Sequence, residues 1–346
     1  KAQPSKDCVN KTLKRLEEKV DGRVLKYLVY LMRSSNKGEQ QCIAIALAHL
    51  CSDDQQRVIF DEQGGLDILL EMYSAYEGDL FPYAMKDAAG ALFKVSQNMK
   101  ALLSARYPND AVPLPATPET HLADEHFNNP ELSDIVFFSD RDGGWEFHAH
   151  KIAFTHVSDE FHQLIDQHKV ADTQQGDSHM PVRVDMSDVM QKDEFHGLMQ
   201  FVYQGNIVVD EDLTWENDAN GVDPLAQRLL QFAHRYEMNG LKRHCEFCME
   251  EYLQPGLMDH PKCEFLQGFI SFAERCNADN FIRACALFAL QHHGLICKSI
   301  GDAETALLAK QIEPHIRQHL QSTMYRLRVK KDDCQLIHGV STDNVF

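Results

Sequence analysis

Residues 131–150 read ELSDIVFFSDRDGGWEFHAH, and this stretch decides the fold of the middle of the chain. Residues 134–138 are a short run of β-branched and aromatic side chains, and residues 145–150 form a second run. The polar, glycine-containing segment 139–144 between them is typical of a hairpin turn. The stretch therefore predicts a strand, a tight turn and a returning strand.

The residues after this hairpin predict further helices and one more strand. A helix is predicted to begin at Ser158, because serine is a good N-cap and Asp159 and Glu160 follow it, where carboxylates favour the helix dipole. Residues 182–186 alternate like a third strand. Three more helices are predicted, one ending at Gly205 and the others at about residues 224–236 and 240–253.

This order of elements resembles the BTB/POZ family. Four stretches carry the resemblance: ELSDIVFFSD, WEFHAHKIAFTHVSDEF, FHGLMQFVYQGNI and LLQFAHRYEMNGLKRHCEF. The resemblance implies a BTB/POZ domain over residues 131–253, and such domains commonly dimerise and often recruit the cullin-3 scaffold of a ubiquitin ligase. The chain departs from the family by polar inserts at residues 171–179 and 210–221, which are predicted to be exposed loops.

The resemblance also implies a partner or dimer interface. Asp134, His150 and Lys151 match the family's polar positions near its dimer centre. The following residues match positions that are mostly core: Phe161, Tyr203, Gly205, Tyr236, Leu241 and Cys245. Packing is the favoured interpretation of the apolar ones, since apolar residues at helical spacing usually face a core.

Helical periodicity dominates the first hundred residues, and the segment repeats itself. The apolar group that begins at Val24 matches the group that begins at Leu66, an offset of 42 residues (66 − 24). The group that begins at Ala44 matches the one that begins at Ala89, an offset of 45 residues (89 − 44). These offsets lie within the range of armadillo and HEAT repeats.

This segment resembles armadillo repeats, above all in the run CIAIALAHLCSDDQQRVIFDEQGGLDILLEMY over residues 42–73. The pair Gly64-Gly65 is predicted to end one helix and to open the next repeat. Only about two repeats are present, although stacked repeats usually need three or more neighbours. A generic helical bundle remains the alternative interpretation.

The sequence predicts an α+β, mainly helical chain with five parts. These are armadillo-like repeats at 1–107, a proline-rich linker at 108–130, the BTB/POZ domain at 131–253, a helical extension resembling the BACK domain at 254–325, and a flexible tail at 326–346. In the extension, Asn280 is a candidate helix cap, and a helix over residues 303–320 is expected to be interrupted near Pro314. Pro115 and Pro118 have PxxP spacing, but a spacer is the favoured reading of the linker.

Composition limits the classes of function. The net charge of −18 disfavours general nucleic-acid binding, and no apolar run is long enough to span a membrane. The ten cysteines are scattered, and Cys42, Cys276 and Cys285 lie among apolar residues, which indicates buried thiols in a reducing compartment, the cytoplasm or the nucleus. The chain begins with lysine, which indicates a fragment of a longer protein.

The sequence carries little catalytic chemistry. His244, Cys245 and Cys248 suggest a metal site, but a single CxxC is a weak signal and the BTB/POZ resemblance explains Cys245 as core. The phosphate-cradling, dinucleotide, nucleophile-elbow and HExxH zinc motifs are absent. We therefore expect no enzyme activity, no catalytic residues, no cofactor and no metal, although sites assembled from distant residues escape motif searches.

Three hypotheses about function follow. The first is a protein-binding adaptor whose armadillo-like part holds a client while the BTB/POZ domain forms a homodimer and engages a cullin-3 ubiquitin ligase. The second is a scaffold or transcriptional co-regulator that uses the same surfaces without ubiquitin transfer. The third, an enzyme of unrecognised type, requires a polar pocket that holds titratable groups with perturbed pKa values.

Overall fold

The computed structural model describes residues 23–75, 81–107, 126–131, 133–141, 143–154, 157–170, 181–207, 224–251, 253 and 265–338. The chain divides into two compact units, the first made of Lys1–Ala111 and Arg283–Phe346 and the second of Val112–Ile282. The predicted α+β, mainly helical fold is confirmed, because the described elements are helices and one three-stranded sheet. None of the described helices is both long enough and apolar enough to cross a bilayer.

In chain order the elements are α1 (Arg23–Ser34), α2 (Lys37–Leu50), α3 (Asp53–Glu62), α4 (Gly65–Ser74), α5 (Phe81–Arg106), β1 (Ile135–Ser139), β2 (Trp145–Ala149), a 3-10 turn (Lys151–Phe154), α6 (Asp159–Gln167), β3 (Val182–Asp185), α7 (Lys192–Gln204), α8 (Pro224–Arg235), α9 (Asn239–Glu251), α10 (Leu266–Arg275), α11 (Asp279–Gln291), α12 (His293–Ile300) and α13 (Asp302–His338).

Local signals set the boundaries of the helices in the armadillo-like segment. The Asn36 side chain accepts the N–H of Glu39 and caps α2, and the N–H of Ser52 donates to the Gln55 side chain at the start of α3. Gly64 has φ of 81°, a left-handed conformation that favours glycine. A Cβ on Gly65 would lie 2.9 Å from the Phe60 ring. The glycine pair therefore separates α3 from α4, as predicted.

The helices follow the internal repeat that the sequence predicts, since α1 corresponds to α4 and α2 to α5. Leu69 and Leu70 in α4 are fully buried. Their counterparts differ, because Tyr27 in α1 is 60% exposed and Leu28 is half-buried. Among the described helices, α1 packs chiefly on α2, whereas α4 packs on α2, α3, α5 and α13, and this accounts for the unequal burial of the matched positions.

Helix α13 packs on α3, α4 and α5, although 195 residues (107–301) separate the end of α5 from the start of α13. This contact overturns the prediction of a flexible tail from residue 326, because the helix continues to His338 and Leu327 is fully buried. The predicted interruption at Pro314 is also wrong. Pro314 lies within the helix on its exposed side, where water can take the place of the missing amide donor.

The second unit is built on a sheet with the order β2-β1-β3. Strands β1 and β2 are antiparallel and face each other through Ile135 and Ala149, whereas β1 and β3 are parallel. Gly143 and Gly144 have φ of 87° and 71° in the turn between β1 and β2. The core beneath the sheet is aromatic, and its members are Phe137, Phe147, Phe154, Phe161, Phe195 and Tyr203.

Two domain boundaries differ from the predicted ones. Residues 126–130, predicted as linker, lie against the sheet, because the ring of Phe127 contacts those of Phe147 and Tyr203. The predicted extension at 254–325 is divided between the units at residue 283. Most of the linker, and the two polar inserts, fall outside the described residues.

Two smaller predictions fail for local reasons. Cys42 lies on the exposed side of α2, whereas Cys276 and Cys285 are buried as expected. Asn280 does not cap α11, because the helix begins at Asp279. Its side chain instead donates a hydrogen bond to Glu246, which lies on α9.

Because one side of α13 is buried, truncating a leucine on that side should destabilise the fold more than truncating a leucine on the exposed side. We expect Leu320→Ala to destabilise the first unit by about 2–5 kcal/mol, since Leu320 is fully buried and truncation leaves a cavity. Leu307→Ala on the same helix is the control, because Leu307 is 57% exposed. Urea unfolding, with hydrogen exchange read in α3 to α5, measures both. Equal effects of the two variants would contradict the packing described above.

Candidate protein-interaction surface

The structure brings the three predicted interface residues together. Asp134 precedes β1, and His150 and Lys151 follow β2, so the antiparallel register places them at the same end of the sheet. The N–H of Lys151 donates to Asp134 Oδ1 over 2.7 Å. The Asp134 carboxylate thereby holds the first amide of the 3-10 turn Lys151–Phe154. Their role in an interface stays a prediction.

The backbone of Asp134 joins both neighbouring strands. Its N–H donates to the carbonyl of Ala149 over 3.2 Å, and its carbonyl accepts the N–H of Val182 over 3.0 Å. Three separate parts of the chain therefore meet at one residue. The position of the carboxylate is consequently fixed by the fold of the sheet.

The Tyr203 hydroxyl holds His150 in position through its backbone and its ring. The Tyr203 hydroxyl accepts the backbone N–H of His150 over 2.9 Å and lies 3.0 Å from its Nδ1. Burial raises the pKa of Tyr203 to about 12, against the weaker opposing effect of the His150 hydrogen bond, so the phenol stays neutral near pH 7. A neutral hydroxyl can accept from the amide and at the same time donate to an imidazole nitrogen.

Sequence reasoning missed two contributors to this surface. Tyr203 was assigned only to the core, and Asn128 was assigned to the linker. Asn128 accepts the N–H of His148 over 2.9 Å and so covers the outer edge of β2 at that point. The Asn-Asn-Pro run at residues 128–130 is a turn signal that could have placed this segment on the domain.

The outer side of this region is exposed and mixed in character. Asp134 and Lys151 are exposed, and Ile152 beside them is 66% exposed. The Lys151 ammonium group makes no salt bridge with any residue that the structure describes. We call the surface of Asp134, His150, Lys151 and Ile152 the strand-end surface. An exposed apolar side chain beside an acidic and a basic residue suits contact with another protein.

The residues of the suggested metal site have other roles. Cys245 is fully buried in α9, in line with a core position. His244 Nε2 accepts the backbone N–H of Ile207 over 3.1 Å, and burial lowers the pKa of His244. Among the described residues, no three histidine, cysteine or acidic side chains are grouped so that they could hold a metal ion.

A polar cleft in the second unit has its charges largely paired. Arg228 lies between Asp193 and Glu194, with its Nε 2.5 Å from Glu194 Oε1. Asp188 pairs with Arg141 at 2.5 Å. The described side chains that line the cleft include no serine, threonine or cysteine. The cleft therefore offers charged groups already engaged with one another.

Known proteins match this chain in two ways. A model of the BTB/POZ domain matches residues 123–253. The chain is also 33% identical over 318 residues to the Arabidopsis thaliana protein named "ARM repeat protein interacting with ABF2", which covers 92% of this chain and 39% of that protein. It is 31% identical over 325 residues to "Armadillo BTB Arabidopsis protein 1" from the same plant, covering 94% and 38%.

The buried carboxyl of Glu246 gives the second unit a pH dependence. It is 3% exposed and accepts the Asn280 amide over 2.6 Å, which links α9 to α11. Burial raises its pKa above the ordinary 4.5, although the Asn280 hydrogen bond and Lys242 oppose the shift. A raised pKa in the folded state stabilises the fold below pH 4.5 and loses that contribution as the pH rises through the folded value.

We therefore expect Glu246→Gln to raise the melting temperature at pH 8, where the wild-type carboxylate is charged and poorly solvated, and to change it little at pH 4. Glutamine keeps an oxygen for Asn280. Glu250→Gln, at an exposed position of the same helix, serves as the control. Thermal unfolding at both pH values measures the effect, and a stabilisation that is the same at pH 4 and pH 8 would exclude this cause.

The chain spans about two fifths of the length of these curated relatives. The alignments nevertheless extend over the repeats, the sheet and the C-terminal helices of this chain, since they cover at least 92% of it. The repeat of α1–α2 in α4–α5 agrees with the names of both relatives, and the BTB/POZ match at residues 123–253 agrees with the name of the second. The chain therefore contains a BTB/POZ domain at residues 123–253 and is similar over at least 92% of its length to two armadillo proteins.

Proposed function

We propose that this chain is a protein-interaction adaptor that dimerises through its BTB/POZ domain and recruits a client through its armadillo unit. The observation that carries the proposal is the strand-end surface, where the Asp134 carboxylate is held by the Lys151 N–H and yet remains exposed beside Lys151 and Ile152. An exposed carboxylate that is already held in place suits a specific partner, since this side chain has little order to gain on binding.

The relatives support the adaptor part of the proposal. One of them is named for an interaction with ABF2, and the other is named for its armadillo and BTB parts. A dimer would also present two client sites at once, which raises the apparent affinity for clustered targets.

The proposed compartment is reducing, the cytoplasm or the nucleus. The seven cysteines whose state the structure describes are all free, and Cys245, Cys276 and Cys285 among them are buried. Buried free thiols pack as small apolar groups and persist under reducing conditions.

Dimerisation is tested at Asp134, because its two roles can be separated. Asp134→Asn keeps an oxygen for the Lys151 N–H but removes the charge, whereas Asp134→Ala removes both. We expect the asparagine variant to keep its melting temperature and to raise the dimer dissociation constant by about tenfold, the effect of losing one close charge pair. The alanine variant should in addition lose about 1–3 kcal/mol of stability.

Light scattering over a range of concentrations measures the dissociation constant. Asp140→Asn, in the turn at the other end of β1, is the matched control and should behave like wild type. A wild-type chain that stays monomeric at every concentration would refute dimerisation, and equal weakening by the Asp140 variant would show that the strand-end surface is not the interface.

Recruitment of a ubiquitin ligase is the finer part of the proposal. Purified cullin-3 should be retained by the folded, immobilised chain and should not be retained by a heat-unfolded sample. If a well-folded dimer fails to retain cullin-3, the ligase role is wrong, and the scaffold or co-regulator hypothesis takes its place.

A further inference from the structure

The face that α3, α4 and α5 present to α13 resembles a helix-binding groove. The inner side of α13 is a row of apolar residues, mostly four positions apart, each at most 2% exposed: Leu308, Ile312, Ile316, Leu320, Met324 and Leu327. The opposite side is exposed and mixed in character, with Lys310, Gln318 and Gln321 beside Leu307 and Tyr325. Rows at this spacing are the ridges by which one helix packs into the grooves of others.

Charge pairs fix the position of α13 along this groove. Arg317 pairs with Asp67 at the start of α4 and also with Glu313 of its own helix at 2.8 Å. Arg328 lies 3.6 Å from Asp61 near the end of α3. The two arginines are separated by eleven residues (328 − 317), which is about three turns or 16 Å of helix. The groove therefore supplies two acidic contacts at a defined spacing.

Between the charge pairs the contact includes one pair of polar side chains. His319 Nε2 lies 3.3 Å from Ser96 Oγ of α5. Burial lowers the pKa of His319 to about 4, and the positive charges of Arg283 and Lys100 act in the same direction. The imidazole is neutral at pH 7. The contact between α5 and α13 therefore holds an uncharged polar pair among apolar residues.

The segment that enters the groove begins at a sharp joint. Gly301 has φ of 85° and ψ of 172°, a conformation that is essentially restricted to glycine, and it stands between α12 and α13. A joint of this kind lets the following helix change direction without strain in its neighbours.

We propose that the groove of α3, α4 and α5 is a recognition surface for a basic amphipathic helix, and that residues 302–329 are its resident ligand in this chain. A partner helix for the same groove carries an apolar row at four-residue spacing and two cations eleven residues apart that reach Asp61 and Asp67. The inference rests on the proposed adaptor function for its purpose, since it defines the chemical class of the client.

Residues 302–329 compete for the groove more effectively than a free helix does, because they are covalently connected to it. A tethered ligand competes at an effective concentration in the millimolar range, so a partner has to bind more tightly or be locally concentrated. Occupancy by residues 302–329 therefore selects against weak partners.

The test uses the full chain with a protease recognition sequence inserted at Gly301. After cleavage, a fluorescent peptide of residues 302–331 is added in excess, and its uptake is followed by fluorescence anisotropy and size-exclusion chromatography. We expect the peptide to replace the resident helix. A peptide with Arg317→Glu and Arg328→Glu should bind at least about tenfold more weakly, because both would face carboxylates. The Lys310→Glu peptide is the control for charge reversal at an exposed position.

Several results would overturn the proposal. A cleaved chain that unfolds, or one that takes up no peptide, would show that α13 is a permanent part of the core. Equal binding of the reversed and control peptides would show that Asp61 and Asp67 do not select the ligand. The readout does not depend on dimerisation or on cullin-3, so failure here is distinguishable from failure of the adaptor proposal.

Discussion

Two stacked armadillo repeats leave an apolar end, and the docking of α13 on that end is the constraint on which the first unit depends. Repeat proteins bury their cores only by stacking, so a terminal repeat must be covered. Leu69, Leu70 and Val95 are fully buried in α4 and α5. In α1, the matched residue Tyr27 is 60% exposed. Of the two matched helices, α4, which contacts α13, is therefore the better buried.

The second unit depends on a polar contact of a different kind. Asp134 uses its carboxylate for the Lys151 amide and its backbone for Ala149 and Val182. One residue therefore sets the relative positions of all three strands at their common end. The structural role and the proposed interface role of Asp134 fall on the same side chain. For this reason, its charge and its hydrogen bond have to be removed in separate variants.

Local chemistry explains which elements could be predicted from the sequence. Ser158 was expected to cap a helix, and its side chain does accept the N–H of Phe161. Gly64 and Gly205, with φ of 81° and 73°, end helices at the predicted positions. Each of these signals acts within a few residues, so a linear reading can recover it.

The errors concern contacts between distant residues. The apolar positions of α13 past residue 320 are few and widely spaced, and charged residues surround them, so the segment looks like a solvated tail. Only the presence of α3 to α5 makes Met324 and Leu327 core residues. In the strand-end surface the residues were identified from family resemblance, but the part played by Tyr203 depends on a partner 53 positions away, which no local pattern reveals.

The order of the chain has a consequence for how the first unit forms. Arg317 and Asp67 are 250 residues apart, and Ser96 and His319 are 223 apart, with the whole BTB/POZ domain between them. Long closures cost entropy and slow folding. During synthesis the groove of α3 to α5 therefore stays uncovered until residues 302–329 emerge. An apolar face that is exposed for that time is prone to unwanted association until a helix or a partner protein covers it. A groove that is selective for a basic amphipathic helix limits which proteins can bind there in the meantime.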